Sequence, residues 1–361
     1  MRYKIVDSIA HVKRQDWDTV FGFTPEGYDF YKTLEESNFP EYSFHYILLY
    51  NASGIAAIAP LFTADFGLDT TLDGAARNAI RSMRRVFPGF LIQKTLFCGS
   101  PFGEKGLVGI RKGVSSERLM ISRISKIIRI FCRRNRIHFI IFKDFSKDDA
   151  SMLESLGKGG FFRVKSLPSV ITDVKFGSMD EYLGTLSYST RKDLRRKVKK
   201  ARANADVEVK IADDVTHIID DVYRLYLKTY EAGEIKFEKL TKEFFISVSK
   251  NLSPHAKYFL YYVNGKLAAF NLCFVHKDLF IDKFIGFDFD LSRRYNLYFL
   301  SWFHNVETCL KNSIPYYQTG QTDYDPKVRL GGRIVPLHAY VRHTNPVFNL
   351  CFRSLARVLK A

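Results

Sequence analysis

The 361-residue sequence has few cysteines and no long apolar run, and each shortage excludes a class of protein. Its five cysteines lie far apart, with no Cys-x-x-Cys pair and no Cys/His cluster, so neither a zinc site nor a disulfide framework is indicated. No stretch approaches the roughly 18 consecutive apolar residues that a membrane-spanning helix needs. The opening residues also lack the apolar core of an export signal. We therefore expect a protein of the reducing cytoplasm that binds no metal.

Several short motifs of enzymes are also missing. There is no Gly-x-Gly-x-x-Gly loop and no Walker loop, which disfavours dinucleotide redox chemistry and nucleotide hydrolysis. There is no Gly-x-Ser-x-Gly elbow, so the sequence does not support a Ser/His/Asp triad. Cys273 and Cys309 fall on a predicted strand and a predicted helix, where we expect them to be buried rather than nucleophilic.

Acidic residues are scarce relative to basic ones. The chain has 38 Asp and Glu against 55 Lys and Arg, a net charge of +17, and an isoelectric point near 9.5. Such a charge attracts an anionic partner, which is nucleic acid, a phospholipid surface or a phosphate-bearing cofactor. Apolar residues make up 46% of the chain, enough for a sizeable core. At about 150 residues per domain, the length predicts two domains.

The order of the predicted elements repeats in the two halves. Phe44–Tyr50 and Ile55–Phe62 are predicted to form a hairpin, as are Tyr258–Val263 and Leu267–Val275 around the turn Asn264-Gly265. Each hairpin is followed by a long amphipathic helix and a short strand, predicted at 116–134 and 137–142 in the first half and at 296–312 and 315–318 in the second. This ordering predicts two domains of the same architecture.

The densest run of positive charge is Ser189–Arg202, which has eight basic residues and one acidic residue. A thin apolar stripe of Leu194, Val198 and Ala201 predicts that it is helical. A surface with so few acidic residues suits the phosphates of tRNA, a lipid head group or a cofactor. The candidate phosphate- or nucleic-acid-binding residues are Arg191, Lys192, Arg195 and Arg196. The alternative is a solvated helix without a ligand.

A second candidate site lies before the second long helix. Leu279–Phe287 is a predicted strand that leads through Asp288–Asn296 into that helix. A strand that enters a helix in this way points free backbone N–H groups and the positive end of the helix dipole at one place, which suits a pyrophosphate such as that of coenzyme A. The candidate cofactor-binding residues are Arg293, Arg294, Tyr295, Asn296 and, further along the chain, Lys327. The alternative is an ordinary joint between a strand and a helix.

A third candidate site is Tyr316–Gly332, a polar, aromatic and glycine-punctuated segment that follows a predicted strand. Loops at strand ends commonly carry functional sites. Tyrosine and aspartate side chains transfer protons, and lysine neutralises an oxyanion or a phosphate. The candidate catalytic residues here are Tyr324 and Lys327, and the candidate substrate-binding residues are Tyr316, Tyr317, Gln318, Gln321 and Asp323. The alternative is a long hairpin tip.

The base for the reaction has three candidates, which are Tyr324, Asp282 and Asp323. Tyr324 ranks first because it lies near Lys327 in a polar loop. Strand alternation places Asp282 on one face with Phe280 and Phe284. A carboxyl group on an apolar face has a raised pKa, which favours its use as a base.

Three segments together resemble the Fem family of GNAT-superfamily acyltransferases. They are the pattern Ser-x-x-Thr-Arg-Lys-x-Leu-Arg-Arg-x-x-Lys-Lys-Ala at Ser187–Ala201, the Asn-Gly hairpin, strand and long helix over Tyr258–Asn312, and the turn Lys327-Val-Arg-Leu-Gly-Gly332. The chain departs from the family in two places. It lacks the helical-hairpin arm of the staphylococcal-type glycyltransferases, and Gln318-Thr-Gly-Gln321 replaces the usual acidic residue and glycine pair.

The resemblance implies an α/β (α+β) fold of two tandem GNAT-like domains, each a mixed, mostly antiparallel sheet flanked by helices. The expected boundaries are 1–165 for the N-terminal domain, 166–345 for the C-terminal domain with the acyl-donor site, and 346–361 for a basic tail. The resemblance also implies direct transfer of an acyl group to an amine from a thioester of coenzyme A or a carrier protein. The donor then enters between parted strands of the second sheet, with Lys327 at a phosphate or at the reacting carbonyl.

Two other functions stay open. The first is aminoacyl-tRNA-dependent transfer to a cell-wall or lipid-linked precursor, which the basic helix favours. The second is a non-catalytic GNAT-like protein that binds RNA or a membrane.

The tail has the pattern of an amphipathic helix. Apolar residues and basic residues form two stripes at helical spacing, namely Phe348, Phe352, Leu355 and Leu359, and Arg353, Arg357 and Lys360. Such a helix can lie on anionic lipid at the inner face of the membrane, or it can pack on its own domain.

Overall fold

The computed structural model describes residues 1–67, 82–83, 92–114, 116–203, 206–233 and 239–358. Its strands are β1 (Arg2–Val6), β2 (Ser43–Asn51), β3 (Gly54–Gly67), β4 (Ile92–Cys98), β5 (Gly109–Ile110), β6 (Phe139–Phe145), β7 (Phe162–Lys165), β8 (Ser169–Asp173), β9 (Val207–Ala212), β10 (Ala256–Val263), β11 (Lys266–Val275), β12 (Phe280–Phe287), β13 (Tyr316–Gln318), β14 (Arg333–Val335) and β15 (His338–His343).

Its α-helices are α1 (Arg14–Phe21), α2 (Tyr28–Glu36), α3 (Glu117–Arg134), α4 (Ala150–Lys158), α5 (Met179–Thr185), α6 (Tyr188–Arg202), α7 (Ile219–Ala232), α8 (Lys242–Leu252), α9 (Phe289–Tyr295), α10 (Leu297–Lys311), α11 (Tyr324–Arg329) and α12 (Pro346–Val358). Single 3₁₀ turns lie at Ile9–His11 and Thr216–Ile218. No described helix has the length and the apolar character that crossing a bilayer requires.

The two sheets have the same strand order. The first runs β1-β2-β3-β4-β6-β15-β7, with β5 paired to β3, and the second runs β9-β10-β11-β12-β13-β8-β14. In each sheet one central pair is parallel, β4 with β6 and β12 with β13, and the other neighbouring pairs are antiparallel. The expected fold class of tandem, mixed and mostly antiparallel sheets is therefore confirmed.

The chain divides into two compact units that are not contiguous in sequence. The first comprises Met1–Gly22, Pro40–Leu167 and Pro336–Ala361, and the second comprises Phe23–Phe39 and Pro168–Val335. The expected boundaries of 1–165, 166–345 and 346–361 differ from this division. Residues 23–39 belong to the second unit, and residues 336–345 belong to the first.

An exchange of strands between the two sheets explains why residues 336–345 belong to the first unit. β15, which follows the second unit in the chain, pairs with both β6 and β7 of the first sheet. β8, which follows β7, pairs with β13 and β14 of the second sheet. Each sheet therefore takes the strand at its next-to-last position from the neighbouring repeat. Strand pairing depends on contacts between residues that are distant in sequence, and a linear boundary does not describe it.

Contacts of α2 and of the residues that follow it explain why the segment 23–39 belongs to the second unit. The ring of Phe39 lies 6.2 Å from that of Phe244 on α8, and the carbonyl oxygen of Ser37 accepts a hydrogen bond of 2.6 Å from Thr241 Oγ1. Asn251 on α8 donates to the carboxylate of Glu36 at 2.7 Å. These contacts join the segment 23–39 to the second unit.

The two long helices bury the faces that their apolar spacing predicts. Met120, Ile124 and Ile128 of α3 are buried in the core of the first unit. Leu300 and Val306 of α10 are buried in the core of the second. These faces place α10 directly over the sheet that contains β11, β12 and β13.

Candidate active site

The parallel strands β12 and β13 share only two residue pairs. Phe280 pairs with Tyr317 and Ile281 with Gln318, after which β13 ends while β12 continues to Phe287. From Asp282 onward, none of the described strands pairs with this edge of β12. Backbone groups along a strand edge that has no ladder partner can bind an extended ligand. The two strands therefore part at Asp282, as expected for the second sheet.

A β-bulge in β12 decides which way Asp282 points. Across the ladder to β11, Asp282 pairs with Cys273 and Phe284 pairs with Leu272, which leaves Lys283 as the extra residue. A bulge bends its strand and changes the direction of nearby side chains. This irregularity lies at the position where β12 and β13 part.

The bulge places Phe284 and Lys283 on the face of the sheet opposite to Asp282. The ring of Phe284 lies 5.5 Å from that of Phe244 on α8, and Lys283 Nζ lies 2.5 Å from the carboxylate of Glu26. The expectation that Asp282 and Phe284 share a face is therefore wrong, because regular alternation stops at the extra residue.

Asp282 accepts hydrogen bonds within a buried polar network beneath α10. Its Oδ1 accepts from Asn271 Nδ2 at 2.5 Å, and its Oδ2 accepts from Tyr317 Oη at 3.0 Å. Asn305 Nδ2 lies 2.9 Å from both Asn271 Oδ1 and Tyr317 Oη. The side chains of Asn271, Asn305 and Tyr317 are fully buried, whereas Asp282 stays partly exposed. The network fixes the carboxylate while leaving part of it accessible.

Burial raises the pKa of Asp282 above the ordinary value of a carboxyl group. The hydrogen bond from Asn271, the nearby charge of Lys327 and the hydrogen bond from Tyr317 act in the opposite direction and only partly offset the effect of burial. A carboxylate with a raised pKa binds a proton more strongly, so this environment suits a general base.

The Gly-Gly turn after α11 positions Lys327. Lys327 Nζ donates to the carbonyl oxygen of Thr319, the residue that follows β13. The backbone N–H of Gly332 bonds to the carbonyl of Lys327 at 2.9 Å. A Cβ atom on Gly332 would lie 2.5 Å from Val170 Cγ1 and 2.8 Å from the Lys327 carbonyl oxygen, so only glycine fits there. The lysine therefore lies at the end of β13, where the two strands part.

Tyr324 is placed as a donor rather than as a base. Its hydroxyl oxygen lies 2.6 Å from the carbonyl oxygen of Gln321 and 3.1 Å from that of Pro168. Burial also raises the pKa of Tyr324, which keeps the phenol protonated. The geometry reverses the expected ranking and favours Asp282 over Tyr324 as the base.

The other candidate substrate-binding residues are dispersed. Tyr316 is the neighbour of Tyr317 on β13, and its hydroxyl accepts from Lys175 Nζ at 2.9 Å, away from Asp282. Gln318 is buried and donates to Ser169 Oγ at 2.9 Å. Gln321 is partly exposed, and Asp323 is exposed in a left-handed conformation with φ of 50°. Of the two tyrosines, only Tyr317 reaches the polar network.

The side chain of Asp288 caps α9, the helix that follows β12. Asp288 accepts a hydrogen bond from the backbone N–H of Leu291 at 3.3 Å, and Lys228 Nζ lies 2.8 Å from the same carboxylate. A carboxylate therefore occupies the N-terminus of α9, a short helix within the segment that was predicted to be a loop leading into α10. Arg293 and Arg294 are exposed in the last turn of α9, not in the first.

The next helix, α10, begins directly after α9 and has no side-chain cap at its N-terminus. Asn296 adopts a left-handed conformation with φ of 55°, which ends α9 and begins α10. Its side chain makes no capping hydrogen bond to the first N–H groups of α10. The side chain of Tyr295 is buried in the core and faces away from this end.

Tyr298, in the first turn of α10, carries a buried hydroxyl group with no hydrogen-bond partner among the described residues. Burial raises the pKa of Tyr298, and the charges of Asp282 and Asp323 raise it further. A buried polar atom without a partner calls for an explanation, and a ligand atom is one. The sequence carries no signal for this residue, since a tyrosine in an apolar helix is usually part of the core.

The basic helix α6 packs on α10 through its apolar stripe, as predicted. Leu194, Val198 and Ala201 are buried in the core of the second unit. Carboxylates pair with several of its basic residues, in the pairs Arg195–Asp180 at 2.7 Å, Arg196–Asp193 at 2.7 Å, Lys197–Asp193 at 2.7 Å and Arg202–Glu307 at 2.5 Å.

Two of the four candidate phosphate-binding residues therefore have acidic partners. Arg191 donates to the backbone carbonyl of Gly184 at 3.3 Å. Lys192 is exposed, as are Lys199 and Lys200, and none of the three has an ion-pair partner in the part of the chain that the structure describes. The unpaired charge of α6 thus lies on these lysines rather than on Arg195 and Arg196.

Two residues of the network, Asn271 and Asn305, were missed in the sequence. Asn271 is the single polar residue of the apolar segment Leu267–Val275, and Asn305 is a buried polar residue of α10 with apolar neighbours such as Val306 and Cys309. A buried amide needs partners, so an asparagine in this setting is the signal that could have identified them.

The buried cysteines are held as thiols. Cys273 donates to Asn271 Oδ1 at 2.9 Å, and burial raises the pKa of both Cys273 and Cys309. A thiol with a raised pKa is a weak nucleophile, and the expectation that these residues are buried is confirmed.

Comparison with known proteins identifies the family to which the chain is similar. The family model FemAB-like, described as peptidoglycan biosynthesis/recognition, matches residues 8–352. Two proteins of Mycobacterium tuberculosis strains, each named "Putative 8-amino-7-oxononanoate synthase 2", are 27% identical over 345 residues, which is 92% of this chain and 44% of theirs. The chain thus spans less than half the length of these relatives.

Solved structures show the same fold. The crystal structure of FemX superposes with a TM-score of 0.60 at 10% identity, covering 94% of this chain and 97% of that one. A tandem GNAT protein from the clavulanic acid biosynthesis pathway superposes with a TM-score of 0.54 at 10% identity, covering 96% and 99%. At such low identity these likenesses establish the tandem GNAT fold alone.

Proposed function

Because the chain belongs to the FemAB-like family, we propose that it is an N-acyltransferase that moves an acyl group from a thioester of coenzyme A or a carrier protein to an amine. The observation that supports this most strongly is the position of Asp282. Its carboxylate lies where β12 and β13 part, with Lys327 at the end of β13. A base and a cation thus flank the place where two strands separate.

The donor would enter along the open edge of β12. Its phosphates would lie at the uncapped first turn of α10, near Asn296, Arg293 and Arg294. A helix N-terminus attracts anions through its free N–H groups and its dipole. Lys327 would then lie close to the reacting carbonyl.

The reaction needs a base for the ammonium group and stabilisation of the oxyanion. Asp282 takes a proton from the ammonium, and the free amine attacks the thioester carbonyl. The charge that develops on the carbonyl oxygen is stabilised by Lys327 Nζ. The C–S bond then breaks and the donor leaves as a thiolate, while the attacking nitrogen loses its second proton to the medium, so no bond to the enzyme forms.

The acceptor would bind beside Tyr317, with Gln321 and Asp323 at the entrance. Tyr316 and Gln318 are less suited to this role, since they bond to Lys175 and Ser169. The amine remains to be identified by assay. The relatives are named for 8-amino-7-oxononanoate, which carries an amino group, so this compound belongs in the first panel of acceptors.

We further propose that the protein acts in the cytoplasm, in keeping with its free cysteines. A second candidate function is transfer from an aminoacyl-tRNA. The observation that favours it is the exposed, unpaired group of Lys192, Lys199 and Lys200 on α6. A third reading, a GNAT-like protein that binds RNA or membrane without catalysis, has no support from the buried network around Asp282.

The test uses the purified full chain with acetyl-CoA, longer acyl-CoAs and a panel of amines, and it follows release of the thiol. We expect Asp282→Asn to lower the rate by about 100-fold or more, since general-base catalysis contributes 10²–10⁴. Asp278→Asn, an exposed carboxylate before the same strand, is the matched control and should retain full activity.

A thermal shift separates the donors. Coenzyme A should raise the melting temperature of the wild type and of Asp282→Asn alike, because the base does not hold the donor. A shift with bulk tRNA but not with coenzyme A would replace the thioester proposal by the aminoacyl-tRNA one. If neither donor shifts melting and no amine is acylated, the enzyme proposal fails.

A further inference from the structure

The helix α12 exposes an unusual amount of apolar side chain. Four large apolar residues on this one helix are more than half exposed, namely Val347 at 67%, Phe348 at 55%, Leu350 at 65% and Leu355 at 52%. Single exposed apolar residues are common on protein surfaces, but a contiguous group marks an interaction site.

Contacts on the opposite side hold the helix in place. Phe352 packs on Phe139 of β6 with ring centroids 5.0 Å apart. Asn349 Nδ2 donates to the carbonyl oxygen of Gly160 at 2.9 Å, and Asn345 Oδ1 accepts from the backbone N–H of Val347 at 2.9 Å. The exposed residues are therefore presented by a docked helix whose inward face is already occupied.

Positive charge accompanies the apolar residues on the same helix. Arg353 and Arg357 are exposed and have no ion-pair partner within the described ranges. The two arginines lie one turn apart on α12, beside the apolar side chains. A helix with this combination lies in the interface of a membrane with its apolar side in the acyl region and its cations at the head groups.

A second group of arginines in the first unit lacks any counter-charge. Arg342 of β15 lies near Arg129 and Arg133 of α3, and burial, followed by these two positive charges, lowers the pKa of Arg342. The Nε atoms of Arg129 and Arg342 are buried and have no hydrogen-bond partner in the described part of the chain. No described carboxylate pairs with any of the three. Such a cluster is stabilised by an anion that supplies acceptor oxygens.

The arginine cluster and α12 meet at one turn of the chain. The guanidinium of Arg342 donates to the carbonyl oxygen of Gly159, and Asn349 of α12 donates to that of Gly160. Consecutive carbonyls thus connect the three-arginine cluster to the first turns of the apolar helix. The cluster itself lies on the face of the first sheet that α3 covers, whereas Phe139 and His343 present the opposite face to α12, so the charge that accompanies the apolar side chains is that of Arg353 and Arg357.

We propose that α12, with its exposed Arg353 and Arg357, forms a docking face for a bilayer that contains anionic phospholipid. The cations bind lipid phosphates, and Val347, Phe348, Leu350 and Leu355 enter the boundary with the acyl chains. A free phosphate would satisfy the arginines but would leave the apolar side chains in water. RNA would meet the same objection. This inference does not depend on acyl transfer.

The experiment is flotation of the full chain with vesicles of phosphatidylglycerol and phosphatidylcholine, and with vesicles of phosphatidylcholine alone. We expect binding to the anionic vesicles only, weakening as salt is raised. The double variant Phe348→Ser, Leu355→Ser should lower the bound fraction by about tenfold or more, since burial of apolar groups drives the insertion. Arg353→Gln combined with Arg357→Gln should bind less tightly and lose most of the salt dependence.

Ile211→Ser is the matched control, because Ile211 is 62% exposed on β9 of the second unit and lies outside the proposed face. It should bind like the wild type. The proposal is overturned if no vesicle binds, if the α12 variants bind unchanged, or if Ile211→Ser loses binding equally. It is also overturned if inorganic phosphate displaces the protein from vesicles at constant ionic strength, or if the wild type is a dimer that Phe348→Ser, Leu355→Ser dissociates.

Discussion

Asp282 owes its chemistry to three neighbours rather than to its own position in the sequence. Asn271 and Tyr317 donate to its two oxygens, and Asn305 bonds to both of these donors. Burial raises the pKa of the carboxyl group, and these donors only partly reverse the effect. The same environment that suits Asp282 to the proposed role of base also makes its charge costly to the fold.

This cost gives a prediction about stability and pH. Because the pKa of Asp282 is higher in the folded than in the unfolded chain, its ionisation destabilises the fold as pH rises through the folded pKa. Asp282→Asn cannot ionise and keeps a similar shape, so we expect it to melt at a higher temperature than the wild type near pH 7. The difference should shrink below the pKa of an unfolded carboxyl group, about 3.9.

Thermal melts of both proteins across this range of pH test the prediction. In the active enzyme, the transfer rate should fall at acidic pH, since the base must be deprotonated. The apparent pKa of this fall should lie above the ordinary range of a carboxyl group. A variant that melts lower than the wild type at every pH would show that the charge stabilises the network instead.

At the scale of elements, two backbone irregularities place the site. The extra residue in β12 turns Asp282 toward α10, and the left-handed Asn296 separates α9 from α10. The turn at Gly331 and Gly332 then returns the chain so that Lys327 reaches the end of β13. Each irregularity changes the course of the backbone beside one of these groups, and regular periodicity would not place them in the same way.

The turn provides the prediction at this scale. A methyl group at residue 332 would lie 2.5 Å from Val170 and 2.8 Å from the Lys327 carbonyl oxygen, so Gly332→Ala must displace α11 or β8. We expect overpacking to lower the free energy of unfolding by roughly 1–3 kcal/mol. The melting temperature should therefore fall, and acyl transfer should be slower. Differential scanning fluorimetry and the thiol-release assay measure the two effects.

Gly184→Ala is the control, because a Cβ atom there meets nothing within 4 Å and the residue lies inside α5. Alanine favours a helix over glycine, so this variant should melt at the same or a higher temperature and keep its activity. Loss of stability in Gly184→Ala, or none in Gly332→Ala, would contradict the steric argument.

At the scale of the whole molecule, the exchanged strands make the two repeats interdependent along the chain. β15 separates β6 from β7 in the first sheet, so a chain that stops at residue 165 lacks the strand that joins them. The apolar edge of β6, with Ile140 and Phe142 fully buried in the intact sheet, would face water.

We therefore predict that a fragment of residues 1–165 does not fold by itself. It should lack a cooperative thermal transition by circular dichroism and should aggregate, whereas the full chain melts cooperatively. Adding β15 back, by fusing residues 336–358 to this fragment through a flexible linker, should restore part of the transition. A cooperative melt of 1–165 alone would show that the exchanged strand is dispensable.

Much of the fold follows from local patterns that the sequence carries in full. The Asn264-Gly265 hairpin, the apolar faces of α3 and α10 and the repeated order of elements depend on residues a few positions apart, so they could be predicted. Lys327 and Asp282 were candidates from the sequence, the first from the resemblance and the second from a carboxylate in an apolar strand, and their catalytic roles belong to the proposed function. A loop sequence does not show what a hydroxyl group binds, so the contacts of Tyr324 with two backbone carbonyls could not be predicted.

The amino-acid sequence by itself determined the two-repeat architecture, the positive charge, the buried cysteines and the family. Only the tertiary structure decided that β8 and β15 exchange sheets, that Lys283 bulges out of β12, and that Asp282 meets Asn271, Asn305 and Tyr317. The physical reason is that periodicity reports which face of an element is apolar. It does not report which distant strand pairs with it, or where one extra residue reverses the direction of a side chain.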